Sequence, residues 1–179
     1  MDDRTSGDDM AVTAATSGGT SAGSLASFAA EFDGFYRVHR DQIARTLALT
    51  LGDEALGFEA ADEAMARAYE RWDEVSDYAN AEGWVYRTGL NWARSWLRRR
   101  KRAADKAPLV ADAGEVADRE VDVDLAVALT KLTDDQRAVV VLRFYNDWSV
   151  EATAAALGIA PGTVKSRLSR ALATLSDEL

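Results

Sequence analysis

Residues 148–175 restrict the fold of this chain more than any other stretch of its sequence. Ser149 can cap a helix, because its hydroxyl can accept a hydrogen bond from a free amide of the first turn. The residues that follow on one face at helical spacing are Val150, Thr153, Ala154 and Leu157. Gly158 can end this helix in a left-handed conformation, and Pro161 suits the first position of another. The segment therefore predicts two helices joined by a tight turn.

The second of these helices has two different faces. Its apolar stripe consists of Val164, Leu168, Ala171, Leu172 and Leu175. Its polar and basic positions are Lys165, Ser166, Arg167, Ser169 and Arg170. Ala154 is small enough for the steep crossing of a helix-turn-helix unit, whose second helix enters the major groove of DNA. The alternative is an ordinary helical hairpin with a solvated basic face.

Charge is unevenly distributed along the 179 residues. The formal net charge is −9, which alone would argue against a nucleic-acid partner. However, residues 94–106 contain seven Lys or Arg against one Asp, and residues 112–124 contain six acids against one Arg. This segregation suits a protein that binds DNA locally and another protein elsewhere.

Composition argues against several classes of site. The chain has no Cys, which rules out disulfides and thiolate metal sites, and its single histidine, His39, cannot form a multi-histidine site. We therefore expect no metal and no cofactor. The sequence contains no convincing nucleophile–base pair or phosphate-binding loop that would indicate an enzyme. No apolar run approaches the roughly 18 residues of a membrane span. Because a secretory signal is also lacking, we expect a cytoplasmic protein without membrane insertion.

The chain divides into a tail, two small helical domains and a linker, and we predict an all-α fold. Residues 1–24 lack apolar periodicity and should form a disordered tail. Residues 25–102 should form the first domain. Residues 103–122 are acidic with weak periodicity and are interpreted as the linker. Residues 123–179 should form the second domain, which ends in the helix-turn-helix.

Helical periodicity is found in both domains. The first should contain three helices, at residues 25–51, 54–72 and 84–102, and a polar loop at residues 73–83. Tyr36 and Tyr69 fall on the apolar stripes of the first two helices. In the second domain, Thr133 and Gln136 match a capping box. The helix after it should bury Val139, Val140, Leu142, Tyr145 and either the Arg143 stem or Phe144.

The third helix combines aromatic and basic residues. Residues 98–102 are five consecutive basic residues, which repel one another and so favour a polyanionic partner. Basic side chains interleaved with tryptophans are typical of single-strand binding, in which charge follows phosphates and aromatic faces stack on bases. Core packing is the alternative role for the tryptophans, and we expect it for at least two of Trp84, Trp92 and Trp96.

The order of these elements resembles the extracytoplasmic-function (ECF) group of bacterial RNA polymerase sigma factors, which keep only regions 2 and 4. The strongest match is GTVKSRLSRA at 162–171, with LG upstream at 157–158. The next strongest matches are RAYERW at 67–72 and WVYRTGLNWARSWLRRR at 84–100. These motifs are most similar to the sequences of an ECF subgroup that is common in actinobacteria. The resemblance implies a promoter-specificity subunit with core RNA polymerase and promoter DNA as partners. An anti-sigma factor is a further candidate partner.

The resemblance also implies a role for each helix. The helix at 54–72 would contact core polymerase through Glu59, Asp62, Glu63 and Arg67. The loop and the third helix would hold the melted −10 strand through Asp77, Tyr78, Asn80, Asn91, Trp92, Arg94, Arg98 and Arg99. The last helix would read the −35 duplex through Thr163, Lys165, Ser166, Arg167, Ser169 and Arg170.

Some positions depart from the pattern of the ECF group. Thr153 replaces a large aliphatic residue and Ala160 replaces a capping serine, and each change should weaken the helix-turn-helix by about 1 kcal/mol. Gly57 and Phe58 also depart from this pattern, in the helix that would contact polymerase. A stand-alone helix-turn-helix regulator is the main alternative function. It would need a receiver or ligand domain, and the first hundred residues show no strand pattern that would indicate one.

Overall fold

The computed structural model describes residues 19–105 and 123–176, with side chains described in 26–105 and 127–176. The helices in these ranges are α1 (Gly19–Leu51), α2 (Glu54–Glu70), α3 (Trp72–Val75), α4 (Ala81–Ala104), α5 (Val123–Thr130), α6 (Asp134–Val140), α7 (Val150–Leu157) and α8 (Pro161–Ser176). A π-helical turn, Val141–Tyr145, directly follows α6. These ranges contain no strand, which confirms the all-α prediction. Of the predicted tail (1–24) and linker (103–122), residues 1–18 and 106–122 lie outside these ranges, whereas residues 19–24 belong to α1 and residues 103–104 to α4.

Helices α1, α2 and α4 form the core of the first half of the molecule, which we define as α1–α4. The largest fully buried side chains here include Ile43, Leu47, Met65, Val85 and Tyr86. Helices α1 and α2 cross closely at Gly57, where a Cβ atom would lie 2.4 Å from the Ala48 Cα atom. Gly89 of α4 meets α2 in the same way, because its Cβ would lie 2.8 Å from the Ala60 carbonyl oxygen. Small residues therefore set the spacing of the three helices.

Local signals in the second half, α5–α8 with the π turn, are confirmed. Thr133 and Gln136 form the capping box at the start of α6. Ser149 caps α7, where its Oγ atom accepts a hydrogen bond from the Ala152 amide at 3.0 Å. Gly158 ends α7 with a φ angle of 65°. Ala154 packs with Val139 and Val164 in a small core, as the helix-turn-helix pattern requires.

The two halves pack against each other. Leu142 and Ala156 of the second half belong to the core cluster of the first half. The buried Arg137 guanidinium donates to the Leu129 and Leu132 carbonyls at 2.8 and 3.1 Å, and reaches the Thr50 carbonyl of α1 at 3.4 Å. These contacts join α5, α6 and the end of α1.

Several element boundaries differ from the sequence prediction. Helix α1 begins at Gly19 rather than at residue 25, because extending an existing helix costs far less than starting one. Helix α2 ends at Glu70, and the predicted loop at 73–83 contains most of the short helix α3 and the first turn of α4. Helix α4 begins at Ala81 because Asn80 caps it, accepting a hydrogen bond from the Gly83 amide at 2.7 Å.

Some residues predicted to be buried are exposed. Tyr36 and Tyr69 are 37% and 48% exposed. In the π turn, Phe144 is 62% and Tyr145 is 41% exposed. The wider π turn changes the angular register of α6, so these rings leave the buried face. Leu172, assigned to the buried stripe of α8, is 44% exposed.

Candidate nucleic-acid interface

Helix α8 presents a polar and basic face to solvent. Its apolar positions Val164 and Ala171 are fully buried, which fixes the rotation of the helix. The opposite positions that are exposed are Lys165, Ser166, Ser169 and Arg170. Thr163 and Arg167 are half-buried. The Ser166 hydroxyl donates to the Thr163 carbonyl at 3.1 Å, so its oxygen remains able to accept another hydrogen bond.

Arg167 differs from the other members of this face because it has an acidic partner. Its Nη2 atom lies 2.6 Å from the Asp135 Oδ2 atom at the start of α6. The other oxygen, Oδ1, accepts a hydrogen bond from Arg94 Nη2 of α4 at 3.0 Å. We call this three-residue arrangement the Asp135 bridge. The sequence did not predict it, since the three residues lie far apart in the chain and no local pattern connects them.

The basic face of α4 runs along its C-terminal half. Asn91, Arg98 and Arg99 are exposed, and Arg98 donates to the Ser95 hydroxyl at 2.8 Å. The Arg100 guanidinium lies 5.2 Å from the centre of the Trp96 ring, a cation–π geometry. The tryptophans Trp84, Trp92 and Trp96 are half-buried against the core of the first half, as expected.

The segment before α4 is held by a small polar cluster around Glu74. Its carboxylate accepts hydrogen bonds from the Tyr78 phenol and from Arg71, the latter at 2.6 Å. These two donors lower the pKa of Glu74, and the same bond raises the pKa of the Tyr78 phenol. The Tyr78 ring lies 6.4 Å from the Trp84 ring, and Asp77 beside it is exposed. Tyr78 is thus oriented near α4, while the Asn80 side chain caps that helix.

The residues expected to contact polymerase lie on the outer face of α2. Glu59 is exposed. Asp62 accepts three hydrogen bonds from the Arg40 guanidinium of α1, at 2.7, 2.8 and 2.8 Å. Glu63 and Arg67 pair with each other at 2.8 Å. Much of this face is therefore already occupied by internal ion pairs.

The described residues contain one histidine, His39, and their acidic side chains do not converge on it. Among the residues described, no group of three or more His, Cys, Asp or Glu side chains is placed to hold a metal ion. His39 lies between helices, with its Nδ1 atom 3.5 Å from Glu82, and burial raises the pKa of that carboxyl. In the part of the chain with assigned structure, no helix is both long and apolar enough to cross a bilayer.

The fold and these two basic faces define a helical DNA-binding protein of the helix-turn-helix class. Residues 122–175 match the family model for sigma-70, region 4. The RNA polymerase sigma-E factor of Streptomyces avermitilis is 36% identical over 155 residues, which cover 83% of this chain and 85% of the relative. The ECF RNA polymerase sigma factor SigM of Mycobacterium tuberculosis is 37% identical over 149 residues, covering 81% and 75%. The chain belongs to the ECF family of RNA polymerase sigma factors.

Solved structures agree on the fold. The sigma factor RpoE of Bartonella quintana, crystallised with the anti-sigma factor NepR, aligns with a TM-score of 0.73 at 22% identity. The alignment covers 82% of this chain and 95% of that one. CnrH, in complex with the cytosolic domain of CnrY, aligns with a TM-score of 0.55 at 24% identity over 87% and 89% of the two chains. The chain is accordingly a sigma factor that directs transcription initiation, as its sequence predicted. Its relatives are DNA-binding transcription factors rather than enzymes.

Proposed function

We propose that this sigma factor guides core RNA polymerase to promoters by holding two DNA elements at once. Residues 123–179 read the −35 duplex, residues 25–102 hold core polymerase and the melted −10 strand, and residues 103–122 connect them. The observation that carries this proposal is the outward polar and basic face of α8, opposite a buried apolar stripe. In a helix-turn-helix that face enters the major groove.

The chemistry of the α8 face suits a duplex. Arg170 can offer two donors to the O6 and N7 atoms of guanine, and Lys165 can pair with either a base or a phosphate. Ser166, Ser169 and Thr163 carry hydroxyls that can hold phosphate oxygens and set the register of the helix. Arg167 joins the readout once its ion pair with Asp135 is broken.

The chemistry of α4 and the preceding segment suits an opened strand. Opening DNA removes base stacking, and an aromatic and basic surface can replace part of that energy. Arg94, Arg98 and Arg99 would bind phosphates of the opened strand. Asn91 would add a hydrogen-bonding group beside these arginines. The rings of Tyr78 and Trp92 would stack on bases, with Asp77 and Asn80 contacting base edges.

The partners follow from the same family membership. We propose that Glu59, with the ion-paired Asp62, Glu63 and Arg67, forms the polymerase contact on α2. Since solved relatives include complexes with anti-sigma factors, we also propose that an anti-sigma factor regulates this chain. Its place of action would be the cytoplasm, with no chemistry, metal or cofactor of its own.

Replacing Arg170 tests the role of α8. Arg170→Ala should lose about 1–3 kcal/mol of binding to a −35 duplex selected from a random library, and should relax the base preference at one position. Fluorescence anisotropy with the selected duplex measures the loss. Arg37→Ala is the matched control, since Arg37 is an exposed arginine of α1 that pairs with Asp33, one turn earlier in the same helix. Equal affinities of both variants and the native chain would show that Arg170 does not contribute to recognition of the −35 duplex.

A further inference from the structure

We propose that Glu74 positions the Tyr78 ring so that Tyr78 and Trp84 form an aromatic slot for one base of the opened strand. The proposal rests on the function above, because it concerns the segment that is proposed to hold the melted −10 strand. Glu74 belongs to α3, Tyr78 to the loop that follows, and Trp84 to the start of α4. The sequence indicated neither Glu74 nor Trp84 for this site.

The Glu74 carboxylate holds Tyr78 with one oxygen and Arg71 with the other. Its Oε1 atom accepts a hydrogen bond from the Tyr78 hydroxyl. Its Oε2 atom accepts from Arg71 Nη2 at 2.6 Å and from Nε at 3.2 Å. The Arg71 guanidinium also lies 5.9 Å from the centre of the Trp84 ring, a cation–π geometry. Arg71 therefore anchors the carboxylate, and the carboxylate in turn anchors the Tyr78 phenol.

The spacing of the two rings is close to that of a base-sized slot. The ring centres of Tyr78 and Trp84 are 6.4 Å apart, and the ring planes are tilted by 46°. Stacked bases are about 3.4 Å apart, so a base between two rings needs about 6.8 Å. A small separation of the rings and their parallel alignment would admit one base. Tyr78 is 38% exposed and Trp84 is half-buried, so the slot can be reached from solvent.

Fixing the Tyr78 ring in advance favours the binding of a base. An exposed aromatic side chain loses rotamer freedom when it stacks on a base, whereas a ring that Glu74 already holds loses less. The hydrogen bond is charge-assisted, which makes it stronger than a bond between neutral groups. Because Arg71 pairs with Glu74, the carboxylate adds little repulsion toward the phosphates of a bound strand. The cluster thus restrains the ring at a small electrostatic cost to strand binding.

Titration of the Tyr78 phenol tests the hydrogen bond without DNA. Glu74→Ala should lower the pKa of this phenol toward its ordinary value, because the bond to Glu74 is the main cause that raises it. Asp73→Ala is the matched control, since Asp73 is an exposed acid of α3 whose charge also acts on Arg71. Phenolate absorbance, compared with the same chain carrying Tyr78→Phe, isolates this residue among the five tyrosines. Equal pKa values in the native chain and both variants would overturn the role of Glu74.

Stacking of a base can be measured with the full chain bound to core polymerase. The probes are single strands of a −10 element selected by run-off transcription, and each carries the fluorescent adenine analogue aminopurine at a different position. Stacking on a ring quenches this fluorophore, so the native chain should quench it at one position, and Tyr78→Ala should abolish that quenching. A native chain that binds the probes and quenches none of them would overturn the slot.

A double-variant comparison on the quenched probe shows whether Glu74 acts through Tyr78. Glu74→Ala and Tyr78→Phe should each weaken binding roughly two- to tenfold, because each frees the ring. Asp73→Ala should not weaken it. The chain with both Glu74→Ala and Tyr78→Phe should bind no more weakly than either single variant, because the two changes break the same hydrogen bond. Additive losses would overturn the positioning role.

Trp84→Phe tests the other wall of the slot. It keeps an aromatic ring in the core but reduces the stacking surface, so quenching of the same probe should weaken. Trp96→Phe is the matched control, because Trp96 is another half-buried tryptophan of α4. Equal quenching by the two variants would overturn the slot. A native chain that binds none of the probes with core polymerase would instead contradict the proposed function, and the phenol titration would still decide whether Glu74 holds Tyr78.

Discussion

Thr153 is fully buried in the helix-turn-helix, and no described residue offers its hydroxyl a hydrogen-bond partner. The sequence indicated a weakness at this position because an aliphatic residue is usual there. The structure gives the physical reason, since a buried hydroxyl that has lost its water and gained no partner costs about 1–3 kcal/mol. Thr46 is equally buried, but its hydroxyl lies 2.7 Å from the Gln42 carbonyl.

These two threonines make a matched pair of stability variants. Thr153→Val should raise the free energy of unfolding by about 1–2 kcal/mol, because it replaces an unsatisfied hydroxyl with a methyl group of similar size. Thr46→Val should lower it by about 1 kcal/mol, because it removes a satisfied hydroxyl. Urea titration followed by circular dichroism measures both. A destabilised Thr153→Val chain would show that this hydroxyl is satisfied in solution.

Residue-scale features were predictable from the sequence wherever the partner was a near neighbour in the chain. Ser149, Gly158 and the Thr133–Gln136 capping box all follow from local hydrogen bonding, and all are confirmed. The partner of Arg167 was not predictable. A basic position on a polar helical face indicates only that the side chain avoids the core, and it does not reveal that Asp135 faces it.

At the scale of elements, the spacing of α1 and α2 depends on Gly57. Its Cβ position would lie 2.4 Å from both the backbone nitrogen and the Cα atom of Ala48, so no side-chain movement could make room. From the sequence, Gly57 stood out only as a departure from the ECF pattern. The close helix crossing explains it, and such a crossing depends on the pairing of two helices, which periodicity within one helix cannot reveal.

Adding a methyl group at this crossing should separate the helices. Gly57→Ala should lower the free energy of unfolding by about 2–3 kcal/mol, because the backbone of α1 must move. Gly34→Ala is the control, since its Cβ would meet nothing within 4 Å. It should be stabilising by up to about 1 kcal/mol through helix propensity alone. Thermal unfolding of both variants measures the changes in the free energy of unfolding. An unchanged value for Gly57→Ala would contradict the close crossing of α1 and α2.

The end of α4 is the element on which strand binding should depend. Replacing Arg98, Arg99 and Arg100 together by Ala should flatten the dependence of promoter affinity on salt concentration. The slope should change by roughly 0.7 for each single-strand phosphate that these arginines no longer neutralise. A chain with Arg37 and Arg45 replaced by Ala, both exposed on α1, serves as the control. An unaltered slope in the triple variant would assign a structural role to these arginines.

At the scale of the whole molecule, the sequence predicted two helical units but not the packing between them. Apolar stripes identify which face of a helix is buried, and they do not identify the element that covers it. Leu142 was therefore predicted as a core residue of the second unit, while in the structure it packs into the core cluster of the first, together with Ala156. The π turn at Val141–Tyr145 was also unforeseen, because nothing in its sequence distinguishes it from a continued α-helix.

In the packed arrangement, the contacts between the two halves include side chains that are also proposed to bind DNA. The cations of α4 and α8 are the ones proposed to bind DNA, and one carboxylate, Asp135, pairs with an arginine from each of these helices. Several of the remaining basic residues, including Lys165, Arg170 and Arg99, stay exposed in this arrangement. We therefore expect binding of the chain to DNA to weaken as the salt concentration rises, because exposed cations bind phosphates with release of counterions.

Run-off transcription over a promoter library is the most direct test of the central claim. Core RNA polymerase is supplied with the native chain, with no chain, or with a chain carrying Lys165→Ala and Arg170→Ala. The account predicts discrete transcripts from a small set of promoters with the native chain, sharing one −35 sequence, and their loss in the other two reactions. Identical transcripts with and without the chain, or an unchanged promoter set for the double variant, would contradict it.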